Sequence, residues 1–220
     1  MFENKLFEKE SIYYTEGRKE LLKYIPDNSK SILDIGCSSG YFLNNFKNTQ
    51  IYTVGIEPDL NSAIVAKDNA DLIINSEFNA KSVQELLSQS SIKEFDCIFF
   101  NDVLEHLYDP WEAIELCKSL LSSSGVIIAS IPNLLFYSNI WNILKTQDFK
   151  YEAAGIMDIT HIRFFTKKAI IRMFEAKQYS IKKIEGLNPV TSLKFKLANF
   201  LLFDKITDLR FMQFVVIAGK

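Results

Sequence analysis

The chain carries two histidines, His106 and His161, and each stands among residues that could use it. His106 follows Glu105 in Asn101-Asp-Val-Leu-Glu-His-Leu-Tyr-Asp-Pro110, and His161 lies in Asp158-Ile-Thr-His-Ile-Arg-Phe-Phe-Thr166. Neither falls in an apolar stripe, so packing alone does not account for either. An imidazole titrates near neutral pH and can take a proton from a reacting hydroxyl. His161 or His106 is therefore the expected base, with Glu105 or Asp158 orienting it; the bland alternative is a ring that holds a loop by hydrogen bonds. Glu105, His106 and His161 could also ligate a divalent metal. Glu105 and His106 are adjacent, however, and neighbours on an extended segment point to opposite sides. The base reading ranks above the metal, and no metal site is assigned.

A second constellation is Ser31-Ile-Leu-Asp-Ile-Gly-Cys-Ser-Ser-Gly40. An apolar, strand-like run turns through glycine into Tyr41-Phe-Leu-Asn-Asn-Phe46, which has helical spacing. Such a turn leaves backbone N–H groups open to an electronegative ligand. Glu57 ends the next strand, 21 residues after Gly36. That is the interval at which an acid meets the hydroxyls of a ribose held at the first turn, and a carboxylate has two acceptors for the two donors of a cis-diol. A nicotinamide dehydrogenase would need glycine at the sixth position from Gly36, where Tyr41 stands.

These residues need a frame of strands and helices. Apolar runs predict strands at 32–35, 50–57, 71–75, 94–101, 126–131, 179–184 and 211–218. Helices are expected at 16–24, after Gly40, from Asp59 as N-cap, at 81–88, from Asp109-Pro-Trp-Glu112, at 134–144 and from Thr166. Tyr13, Tyr14 and Arg18 could cover a ligand at the glycine turn. Ser122-Ser-Ser-Gly125 reads as a turn. Residues 134–165 break the alternation and suit a substrate lid, and the apolar stretch 191–203 is read as core before dimer contact or membrane surface. Regular alternation argues for an α/β fold with a parallel sheet and helices on both faces.

A length of 220 residues suits one domain, and 48% hydrophobic with 24% charged residues is ordinary for a globular chain. A net charge of −2 gives no footprint for nucleic acid. Cys37, Cys97 and Cys117 lack metal-ligand spacing. No signal peptide or spanning segment is expected, which reads as cytoplasmic.

In four motifs, taken in order, the chain resembles class I S-adenosylmethionine-dependent methyltransferases: Leu33-Asp-Ile-Gly-Cys-Ser-Ser-Gly40, Gly55-Ile-Glu57, the stretch Phe95–Pro110 and Leu120–Asn133. The resemblance implies a Rossmann-like, seven-stranded, mostly parallel sheet, with the last strand antiparallel between the fifth and sixth, in one domain over 1–220. It implies S-adenosyl-L-methionine as cofactor, with Asp34, Gly36, Cys37 and Gly40 at its methionine end. Glu57 would lie on the ribose, Pro58 near the adenine and Glu77 opposite its amine, with Asn101 and Asp102 completing the set. Ser38 replaces the middle glycine usual in this loop. The stretch around His161 is similar to a Thr-His-Ile-Arg-Phe-Phe-Thr segment of methyltransferases encoded among bacterial surface-polysaccharide genes. The expected acceptor is thus a hydroxyl of a sugar or glycan precursor, followed by a small aromatic such as a quinone precursor. A non-catalytic cofactor-binding protein and a homodimer are further readings.

Overall fold

The computed structural model describes residues 17–220. Seven strands form one sheet: β1 (Ser31–Ile35), β2 (Tyr52–Ile56), β3 (Leu72–Ile74), β4 (Phe95–Asn101), β5 (Leu121–Pro132), β6 (Ser180–Pro189) and β7 (Phe211–Gly219), in the order β3-β2-β1-β4-β5-β7-β6. The last strand thus takes the expected place between β5 and β6. β1 pairs in parallel with β2 and β4, and β2 with β3. Val190 N donates to Arg210 O, joining the exit of β6 to the entry of β7, so these two run antiparallel. Among the described residues, no helix is long and apolar enough to cross a membrane.

The chain divides into two compact units. The first holds residues 17–101, 111–128 and 219–220 of the described chain. All five residues of β1 are buried, and Phe95, Phe99 and Phe100 of β4 are fully so. A strand apolar on both faces belongs inside a parallel sheet, and each large side chain so buried contributes about 1.5–3 kcal/mol. Helix α1 (Leu60–Ala66) starts where Asp59 accepts from Ser62 N at 2.8 Å. Helix α2 (Ala80–Gln89) starts at a capping box between Asn79 and Ser82. Helix α3 (Pro110–Leu116) opens on its proline. The expected helices at 16–24 and after Gly40 are short 3-10 turns, Lys19–Tyr24 and Leu43–Phe46. Tyr13 and Tyr14 lie outside the described residues.

Ser122–Gly125 is not a turn: β5 runs through it. A Cβ on Gly125 would stand 2.8 Å from Phe95 O, so this glycine serves close approach of two backbones rather than a change of direction.

The second unit holds residues 102–110 and 129–218. Helix α4 (Tyr137–Thr146) is followed by an irregular stretch up to Thr166, which caps helix α5 (Lys167–Ala176) by accepting from Ala169 N. Ile170, Met173 and Phe174 are its buried stripe, as the spacing predicts. The stretch 191–203 departs from expectation. It forms helix α6 (Leu193–Leu201), which leaves Leu193, Leu197 and Phe200 exposed, as is Phe203 just beyond it, instead of filling the core. Its Phe195 meets Tyr137 of α4, ring centroids 5.8 Å apart.

Candidate functional site

In the first unit, a small open cleft forms at the carboxyl end of β1. Of the residues expected at the cofactor, Asp34, Gly36, Cys37 and Asn101 line it, together with Ser38, Ser39, Tyr41 and Phe42, while Gly40 and Glu57 are not among its lining residues. Arg18 also lines it, while Tyr13 and Tyr14, considered with it as cover, lie outside the described residues.

The turn is built for close approach. Gly36 and Gly40 take φ of 70° and 74°, in the left-handed region that glycine enters without cost. Gly36 N and Cys37 N both donate to Ile56 O, which ties the turn to the end of β2. Ser38, in place of the usual glycine, also sits at positive φ, 47°, an uncommon conformation for a residue with a side chain. A Cβ on Gly55 would come within 2.5 Å of Cys37 Sγ, so the thiol fills a space that only glycine in β2 leaves. Burial pushes that thiol far up, making Cys37 a filler and not a nucleophile.

Glu57 is held ready at the end of β2. Its Oε2 accepts from Ser38 N at 2.8 Å and its Oε1 from Asp59 N at 2.9 Å. Each oxygen keeps a lone pair for a further donor. Asn75 Nδ2 donates to Glu57 O and Pro58 O, fixing the backbone that carries the acid. Nothing in the sequence marks Asn75, whose partner is 18 positions away. Pro58 and Glu77 are exposed and are not among the cleft's lining residues.

Asp34 is the electrostatic centre of the cleft. Its carboxyl is pushed up to about 8, first by burial and then by Glu57, while Arg18 and a hydrogen bond from Asn101 Nδ2 at 3.1 Å pull the other way. A carboxyl kept neutral by burial will ionise when a cation arrives beside it. Glycine backbone, paired acids and a buried carboxyl suit a ribonucleoside that carries positive charge.

Asp102 is not in this cleft. It adopts φ 55° directly after β4 and turns its carboxylate to Ser130 Oγ and Gln213 Nε2, at 3.1 and 3.0 Å. Neither partner has a sequence signal.

The histidines meet in the second unit. Leu104–His106 forms one 3-10 turn, so the objection that holds for an extended segment does not apply, and Glu105 and His106 can turn to a common point. Glu105 O accepts from both Ile162 N and Arg163 N at 3.0 Å, which pins the returning loop. The two imidazoles stand edge to face, centroids 4.7 Å apart. One ligand atom each from Glu105, His106 and His161 lies within 4.8 Å of the others. Glu105 and His161 are buried, and His106 is exposed.

The rings are oriented by backbone. His106 Nδ1 lies 3.2 Å from Thr160 O and His161 Nδ1 3.0 Å from Ile156 O. Asp158 does not orient a ring; it accepts from Thr160 N and Oγ1 and shapes the turn before His161. Burial lowers the His161 pKa, with the Ile156 bond opposing and His106 adding to the shift. The ring is thus held neutral, the form that can accept a proton. Beside it lie Phe164, at 6.5 Å, and then Phe149 and Tyr151, all three in mutual ring contact.

A family model described as "Methyltransferase domain" matches residues 7–183. A ubiquinone biosynthesis O-methyltransferase of Glaesserella parasuis serovar 5 (strain SH0165) is 27% identical over 183 residues, covering 77% of this chain and 76% of its own. A SAM dependent methyltransferase from Archaeoglobus fulgidus has the same fold, with TM-score 0.63, 21% identity and 91% of each chain covered. A putative S-adenosylmethionine dependent methyltransferase from Listeria monocytogenes aligns with TM-score 0.60 and 17% identity, over 96% of this chain and 99% of that one.

Proposed function

The chain belongs to the methyltransferase-domain family, and from that premise we propose that it is an S-adenosylmethionine-dependent O-methyltransferase acting on the hydroxyl of a small aromatic of the quinone-precursor kind. When bound, the cofactor supplies an electrophilic methyl group on a cationic sulfur.

The chain's own residues do the rest. Glu57 receives the ribose hydroxyls, the Gly36–Gly40 turn lets the nucleoside lie against backbone, and Asp34 gives up its proton to face positive charge. Alignment of acceptor and methyl carbon is the main task, worth about 7–11 kcal/mol. Proton removal from the acceptor is assigned to the Glu105–His106–His161 cluster, and residues 134–165 are the lid over it.

The observation that carries the aromatic reading is the ring cluster of Phe149, Tyr151 and Phe164, the last in contact with His161. Phe149 and Tyr151 are 43% and 47% exposed and can cover a flat ring. The name of the Glaesserella relative points the same way, and both outweigh the sugar expected from the His161 segment. A turnover assay with the methyl donor and a panel of catechols, simple phenols and nucleotide sugars tests it. Methylation of phenolic hydroxyls is the expected result. Turnover of sugars alone, or donor uptake with no turnover of any phenol, would overturn the aromatic acceptor.

A further inference from the structure

We propose that Glu105, His106 and His161 hold a first-row divalent cation, which activates the acceptor hydroxyl. The inference rests on the methyltransferase reading and changes one step of it: the hydroxyl ionises on a metal instead of handing its proton to an imidazole.

The first support is the placing of the nitrogens. A backbone carbonyl has no proton to give, so the Nδ1 of each neutral ring must donate, His106 to Thr160 O and His161 to Ile156 O. Each ring then carries its remaining lone pair on Nε2. Metal-binding histidines are oriented in this manner, by a carbonyl on the nitrogen that does not ligate. Both rings of this chain have it, and no other histidine exists.

The second support is convergence. The three ligand atoms lie within 4.8 Å of one another, whereas ligands on one ion with bonds of about 2.1 Å stand roughly 3 Å apart. The cation itself has to draw the ligands in by that margin, on a backbone that Glu105 O already clamps to Ile162 and Arg163. A pair of loop-holding histidines would need only the Nδ1 contacts and no convergence with a carboxylate.

The third support is openness. Glu105 is 1% and His161 7% exposed, which anchors two ligands firmly, while His106 faces solvent. Coordination positions on that side stay available to an incoming oxygen. Two imidazoles and one carboxylate favour manganese, iron, cobalt or zinc over calcium and magnesium, which prefer oxygen ligands.

The chemistry balances without a further reagent. The cation lowers the acceptor's pKa, and the proton leaves to water on the open side. The oxygen's electron pair then forms the bond to the methyl carbon as the carbon–sulfur bond breaks, its pair staying on sulfur to give a neutral thioether.

The test uses the full chain, stripped with a chelator and dialysed. Calorimetry with Mn²⁺ and with Zn²⁺ should show one equivalent bound, weakened at least ten-fold by Glu105→Gln and by His106→Gln. His106 is exposed, so that variant reports even where loss of buried Glu105 impairs folding. Uptake of S-adenosylhomocysteine should be the same in stripped and loaded protein, and turnover should return only with metal. Failure to take up either cation, or equal affinity in His106→Gln, would overturn the proposal and leave the methyltransferase reading standing. Failure to bind S-adenosylhomocysteine would instead strike that reading.

Discussion

The cleft around Gly36 and the cluster around His161 are made in different ways. The cleft is mostly backbone: two glycines at positive φ, N–H groups gathered on Ile56 O, and an acid at the next strand end. The cluster is side chains, delivered by a 3-10 turn after β4 and by a loop that returns to it after α4. A site of the first kind is tied to the sheet and tolerates few changes in its frame. The second depends on a few contacts that pin a loop, and its chemistry can change while the frame stays.

The largest effect expected from this contrast is on turnover. His161→Ala should lower kcat by about 10²–10⁴-fold, as loss of acceptor activation does. Its affinity for S-adenosylhomocysteine should stay within two-fold. A parallel loss of cofactor affinity would erase the distinction between the two regions.

Glycine substitutions separate them by stability. Gly55→Ala sets a Cβ 2.5 Å from Cys37 Sγ and 2.6 Å from Ile73 Cδ1. Overpacking of this kind costs about 1–3 kcal/mol and should distort the turn as well. Gly155, in the irregular stretch of the second unit, has φ 84° with nothing within 4 Å of an added Cβ. Gly155→Ala should pay only backbone strain, about 1 kcal/mol. Denaturant midpoints compare the two, and equal losses would contradict the account.

Asp34 adds a pH test confined to the cleft. Its folded pKa, about 8, lies above the ordinary value of 3.8, so between those values the folded chain binds more protons than the unfolded one. Its contribution to stability is therefore full below the lower value and lost as pH rises towards the upper. The slope from this group approaches about 1.4 kcal/mol per pH unit and flattens above pH 8. Asp34→Asn should remove it, as read from unfolding at a series of pH values.

The smallest change is Ser38→Gly, which relieves a side chain at φ 47°. A gain of about 0.5–1 kcal/mol is expected in thermal or denaturant unfolding.

The same contrast explains what could be read beforehand. The strands themselves, the glycine turn, the place of Glu57 and the caps at Asp59 and Thr166 follow from local patterns, because each is fixed by residues close in sequence or by a regular interval; the order of the strands follows from the family resemblance instead. Convergence of Glu105, His106 and His161 turns on whether residues 104–106 are extended or turned, which composition leaves open; they form a 3-10 turn. Ser122–Gly125 has turn composition, yet its glycine answers to Phe95 O across the sheet, a contact that no local rule contains. The segment 191–203 is apolar without a helical stripe, and composition cannot tell a buried run from an exposed helix. Asn75, Ser130 and Gln213 left no trace because their partners are distant in the chain.

The most direct test of the central claim is calorimetric titration of S-adenosylhomocysteine into the wild-type chain and into Glu57→Ala. One molecule should bind the wild type. The variant, which loses two backbone hydrogen bonds to a carboxylate together with the ribose contact, should bind about 10²-fold more weakly. No uptake by the wild type, or equal affinity in Glu57→Ala, would contradict the account.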